Sequence, residues 1–179
     1  MQTIKTIAIA SLACLFALTL AFATSALAND AKPKAGPGPG DTPPAMPLGL
    51  TRRNEEITLE QSAGKVRVVT FWPSWCGPCR QEIVMLNKLQ EVAKDSLAVI
   101  TINIEDRQTF KEVTRQFHES KVTMTNDPSK RIHNAYGVNG IPHMLIIGKD
   151  GKVVSVKKGY SEAALPGLLR EIETEMQRV

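Results

Sequence analysis

Trp75-Cys76-Gly77-Pro78-Cys79 stands where an apolar run, Val66 to Trp72, gives way to an amphipathic pattern. The β-branched and aromatic content of that run predicts a central strand. Ile83, Leu86, Leu89, Val92 and Ala93 follow at near-helical period and predict a helix with these residues inward. A Cys-x-x-Cys at such a junction reads as a redox pair. With two residues between the sulfurs, one turn brings them within disulfide range. Cys76 falls at the helix N-terminus, where unpaired N–H groups and the helix dipole favour its thiolate. The thiolate is the species that attacks another disulfide. Pro78 is tolerated because the first helical turn does not need its N–H. The competing reading, a structural zinc half-site, needs two further ligands. The sequence has no second Cys pair.

The chain has 179 residues, 42% of them hydrophobic, which suits one globular domain plus extensions. Its formal net charge of +4 is mild, and no basic run or aromatic-interleaved patch points to nucleic acid. Of its three cysteines, Cys14 lies in the N-terminal apolar segment and the other two form the motif. An exported protein whose only pair is Cys-x-x-Cys is not a disulfide scaffold, so the pair serves chemistry.

Residues 1–28 read as an export signal: Lys5, an uncharged apolar stretch from Ile7 to Ala23, then Ala26-Leu27-Ala28 before a cut ahead of Asn29. The alternative is an uncleaved anchor, since Ile7 to Ala28 is long enough to span a bilayer. A lipoprotein reading through Cys14 fits less well, because Ser11 stands where a bulky aliphatic residue is expected. Residues 29–47 are crowded with Pro and Gly and read as a linker that buries little and leans toward extended polyproline conformations. The domain is expected over residues 48–179.

Within it, Ile57 to Leu59 reads as a short strand after an Asn54-Glu55-Glu56 turn, and Leu97 to Ile104 as a buried strand. Residues 107–119 read as a helix with Phe110, Val113 and Phe117 inward, and Val122 to Thr125 as a short strand. Asp127-Pro128 opens a short helix to about Tyr136. Met144 to Ile147 and Val153 to Val156 are strands joined by an Asp150-Gly151 hairpin turn, and Glu162 to Met176 is a closing helix. Alternating strands and helices followed by a hairpin and a helix give an α/β fold, a mixed sheet with helices on both faces.

The full Trp-Cys-Gly-Pro-Cys string resembles the thioredoxin superfamily. The surroundings are more similar to its exported bacterial branch, the TlpA/ResA-type thiol-disulfide oxidoreductases, from roughly Leu48 to the C-terminus. The resemblance implies a thioredoxin-like fold and adds site residues. Gly137-Val138-Asn139-Gly140-Ile141-Pro142 is similar to the family loop in which an Ile-Pro bond is cis and lies against the Cys pair. A cis proline there leaves the preceding backbone free to pair with an extended peptide. Glu82, three positions after Cys79 on the same helix face, matches a Glu thought to assist protonation of the second cysteine. Thr70 stands where cytoplasmic thioredoxins carry a buried Asp, a departure that favours the exported branch. The alternative for Glu82 is a solvated first-turn carboxylate.

Cys76, Cys79, Glu82 and Pro142 are thus the expected catalytic set, with Trp75, Gly77, Pro78 and Ile141 touching the substrate. Trp72 is expected in the core. His143, directly after Pro142, is a candidate for biasing the thiolate electrostatically or a simple strand-start residue. His118 and His133 are expected on helix surfaces. The expected activity is extracytoplasmic protein disulfide reduction through the Cys76–Cys79 couple, with no cofactor and no metal. The resemblance implies a membrane thiol conduit as electron donor and apocytochrome c cysteines as a target. The alternatives are a disulfide oxidase or isomerase, and a copper chaperone using the same two cysteines, with His143 as a candidate third ligand.

Overall fold

β1 (Val66–Trp72) is buried at all seven positions and takes the centre of a five-stranded sheet. In the computed structural model, which describes residues 35–178, the strand order is β3-β2-β1-β4-β5. β2 (Leu97–Asn103) runs parallel to β1, and β3 (Thr123–Asn126) parallel to β2. β4 (His143–Ile147) is antiparallel to β1, and β5 (Val153–Lys158) antiparallel to β4. The expected export signal at residues 1–28 lies outside the described residues. Among the described residues, no helix is long and apolar enough to cross a membrane.

Both faces of the sheet are covered, which is why the central strands read as near-continuous apolar runs rather than alternating ones. On one face Val66, Val68 and Trp72 pack with Ile83 and Leu86 of α1 (Gly77–Ala93) and Ile172 of α4 (Leu165–Gln177). On the other, Val69 and Phe71 meet Leu48, Leu59, Ile132 and Tyr136. Two polar residues break the β1 pattern. Arg67 is buried and donates from Nη2 to the carbonyl of Gly148 at 2.6 Å, and Thr70 is discussed below.

The helix expected over 107–119 is α-helical only in α2 (Arg107–Val113) and tightens to a 3₁₀ turn over Thr114–Phe117. Thr114 Oγ1 donates to the Phe110 carbonyl at 2.7 Å where the change occurs. Phe110 and Val113 face inward, and Phe117 packs edge-on against Trp72, which is fully buried. α3 spans only Arg131–Ala135, because Lys130 ahead of it is left-handed (φ 55°); Asp127 instead serves the helix as a side-chain acceptor from the N–H groups of Arg131 and His133. The closing helix begins with a 3₁₀ turn, Glu162–Ala164, before α4. Val92, expected inward on α1, is 81% exposed.

Two expectations are corrected. Ile57 to Leu59 forms no strand; Leu50 makes isolated bridges to Glu56 and Asn126 instead, and a 3₁₀ turn follows at Glu60–Ser62. The linker reading of 29–47 does not hold for its described part. The Gly40 N–H donates to the Val153 carbonyl at 2.8 Å, and Val153 N–H donates to Asp41 at 2.9 Å. Gly36 crosses Gly137 so closely that a Cβ on either would overlap the other's backbone. Gly36 therefore permits close backbone packing, and Gly40 (φ 88°) supplies a left-handed turn.

Candidate active site

The C-terminal end of β1 leads through Pro73, Ser74 and Trp75 into α1. Cys76 is the N-cap: its sulfur accepts from the Cys79 N–H at 3.2 Å, and Pro78 sits in the first turn as expected. Cys76 and Cys79 are joined by a disulfide, with Cα atoms 5.3 Å apart. Both sulfurs are shielded, Cys79 more completely, at 6% and 1% residue exposure. Around them Trp75, Gly77 and Pro78 are exposed, and Trp75 at 75% offers an apolar surface beside Cys76.

The Ile141–Pro142 bond is cis. Ile141 packs on the same apolar cluster as the two cysteines and lies ahead of the β4 ladder, which starts at His143. The Pro142 carbonyl accepts from the Gly159 N–H at 2.8 Å. The structure thus brings the residues expected from both halves of the site to one end of the sheet.

Glu82 is not a solvated first-turn carboxylate. It is 3% exposed and points at the sheet, where Thr70 Oγ1 donates to its Oε1 at 2.6 Å. Burial pushes its carboxyl up to about 7, and the Thr70 hydroxyl restrains part of that rise by favouring the charged form. Thr70 cannot titrate, yet it holds the group that does.

His143 goes elsewhere. It is buried, pairs with Phe71 across the β1–β4 ladder and stands edge-on to that ring at 6.2 Å, on the sheet face away from Thr70 and Glu82. Burial, then Lys158 and His133, lower it to about 4, so at neutral pH it carries no charge to bias a thiolate. His143 is thus not placed to join Cys76 and Cys79 as a copper ligand. Among the described residues, no three His, Cys, Asp or Glu side chains gather to hold a metal ion.

Sequence reasoning missed Glu105. Its carboxylate accepts from both the N–H and the hydroxyl of Ser74, the latter at 2.9 Å, and from Asn103 Nδ2 at 3.1 Å. It therefore pins the turn that carries Trp75 and Cys76. The available signal was position alone: an acidic residue just past a parallel strand, at the sheet end where α/β sites collect.

The Redoxin family matches residues 38–172. Thioredoxin-like protein YneN of Bacillus subtilis (strain 168) is 31% identical over 111 residues, 61% of this chain and 65% of that protein. Thiol-disulfide oxidoreductase ResA of Bacillus thuringiensis (strain Al Hakam) is 30% identical over 121 residues, 66% of this chain and 69% of the relative. The chain thus spans about two thirds of these relatives' length (65% and 69%). A crystal structure described as thiol:disulfide interchange protein DsbE from Chlorobium tepidum superposes with a TM-score of 0.72 at 27% identity. It covers 79% of this chain and 99% of that one. With its Cys76–Cys79 pair at a strand-to-helix junction, this chain belongs to the Redoxin family, within the thioredoxin superfamily, and is a thiol-disulfide oxidoreductase.

Proposed function

We propose that the protein is an extracytoplasmic protein-disulfide reductase in which Glu82 moves the proton of Cys79. The observation that carries this is a carboxyl held at about 7 in the apolar interior, one helical turn behind Cys79. A group with that value can accept and return a proton at working pH. In the reduced enzyme the Cys76 thiolate, favoured by the α1 N-terminus, attacks one sulfur of a target disulfide. The other target sulfur leaves as a thiolate. Cys79 then gives its proton to Glu82 and attacks Cys76 Sγ, and the second target sulfur leaves as a thiolate that takes its proton from water. The target has gained two electrons, and the enzyme is left with the Cys76–Cys79 disulfide.

Trp75, Gly77 and Pro78 flank the sulfur on the open side, and the backbone at Ile141 receives an extended substrate segment. Support for reduction comes from the Gly77-Pro78 dipeptide, shared with thioredoxin. The export signal read at residues 1–28 supports the compartment. In that oxidising setting the enzyme needs electrons from a membrane thiol reductant. Apocytochrome c cysteines as a target rest on the TlpA/ResA resemblance alone.

The test is the equilibrium potential of the couple in a dithiothreitol or glutathione redox series, paired with insulin-disulfide reduction. A value near that of thioredoxin, roughly −270 mV, is expected; a value near the roughly −120 mV of a strong oxidant would make this a disulfide-forming enzyme.

A further inference from the structure

Glu82 receives a proton in each cycle and must lose it, yet it is 3% exposed. It nevertheless forms part of the wall of a groove of about 580 Å³ between the end of β5 and α4. Met144, Lys157, Tyr160, Gly167, Leu168 and Glu171 line the same groove. The sheet register explains the alignment. Thr70 on β1 pairs with Met144 on β4, which pairs with Lys157 on β5, so the three side chains form one row on one face. Glu82 sits over Thr70 at the inner end of this row. At the outer end Lys157 Nζ meets Glu171 Oε2 at 2.8 Å.

We propose that this groove is the proton route between Glu82 and solvent, entered past the Lys157–Glu171 pair on the side of the sheet edge rather than past the disulfide. The proposal rests on the reading of Glu82 as the acid–base group. Its value lies in separation. While a target protein covers Trp75, Pro78 and the sulfurs, the route behind Glu82 stays open. The proton taken from Cys79 Sγ passes from the Glu82 carboxyl to water in the groove and then to a base in bulk solvent. The carboxylate is thereby restored, and no electrons move in this step.

The groups whose side chains face the groove and set its field are Glu82 from α1, Lys157 from β5, Tyr160 beyond β5, and Glu171 from α4; Met144 is what β4 contributes. The Lys157–Glu171 pair is neutral in sum, and Lys158, which pairs with His143, turns its side chain to the other face of the sheet.

Gly167 is an exposed lining position on α4. A Cβ built there meets nothing within 4 Å, so a side chain can be added without a clash at its first atom. The test is Gly167→Phe in the full chain, with Gly167→Ala as its smaller counterpart and Glu82→Gln as the reference. The reduced protein is mixed with excess oxidised glutathione. Closure of the Cys76–Cys79 disulfide is followed by Trp72 and Trp75 fluorescence, with imidazole buffer varied at constant ionic strength.

Wild type is expected to close faster as buffer base rises, because the base collects the proton at the groove mouth. Gly167→Phe is expected to slow closure several-fold and to abolish the buffer dependence, and Gly167→Ala to do so less. The double variant with Glu82→Gln should be no slower than Glu82→Gln alone. If Gly167→Phe folds, as judged by its thermal transition, and retains the wild-type rate and buffer dependence, the route is wrong while the role of Glu82 stands. If Glu82→Gln itself closes at the wild-type rate, the underlying reading fails and the route with it.

Discussion

Replacing Glu82 by Gln should make the oxidised protein more stable at neutral and alkaline pH while slowing its chemistry. The folded protein holds this carboxyl at about 7, against an ordinary value of 4.5. The folded state therefore binds the proton more tightly than the unfolded chain between these two values. Stability contributed by the protonated form is complete below pH 4.5 and is lost as pH rises through about 7. Converted at the standard free energy per pKa unit, the loss is about 3 kcal/mol. Glutamine carries no charge to bury, and its amide oxygen still accepts the Thr70 hydroxyl. The variant should match wild type below pH 4.5 and exceed it by about 3 kcal/mol above pH 7. In the oxidised form the cysteines do not titrate, so the difference reports Glu82. The assay is urea unfolding of both proteins across that range. A gap that stays constant with pH would refute the burial argument, whatever happens to activity.

Thr70→Val removes the donor that favours the Glu82 carboxylate. A hydrogen bond to a charged group is worth about 1.5–3 kcal/mol, part of which the protonated acid also enjoys, so the pH midpoint of disulfide closure should rise by about one pH unit. Glu105→Ala frees the Ser74 N–H and hydroxyl and should cost about 2 kcal/mol of stability. Its Cys76 should also react more slowly with a small aromatic disulfide; an unchanged rate would show that the turn holds without Glu105. His143 is lowered to about 4 when folded but takes a proton near 6.5 when unfolded, so wild type should lose stability as pH falls through that window. His143→Leu should remove this acid-side loss and leave the reduction potential unmoved, which unfolding and redox titrations would check.

The parts of this fold legible in the sequence are those fixed by local pattern. The β-branched run at Val66 to Trp72, the junction at Cys76 and the Asp150-Gly151 hairpin each declare themselves within a few residues, and the structure places all three as read. What escaped was set by partners far along the chain. Glu105 grips Ser74 across 31 positions, and no spacing rule reaches that far. The Pro/Gly stretch failed for a different reason. Its composition suits a free spacer and a segment laid tightly on other backbone equally well, and Gly137, the residue that decides between them, lies about a hundred positions away. Glu82 was located by its offset from Cys79, whereas its depth depended on α1 lying flat over Thr70.

The stretch ahead of β1 touches both margins of the sheet: Gly40 and Asp41 pair with Val153 on β5, and Leu50 receives the Asn126 N–H of β3 at 3.1 Å. Unpaired margins are templates on which other chains stack. The leading segment thus occupies Val153 on one margin and Asn126 on the other. A shortened chain beginning at Leu48 would bare the β5 margin, and its failure would show as self-association on storage before any loss of thiol chemistry.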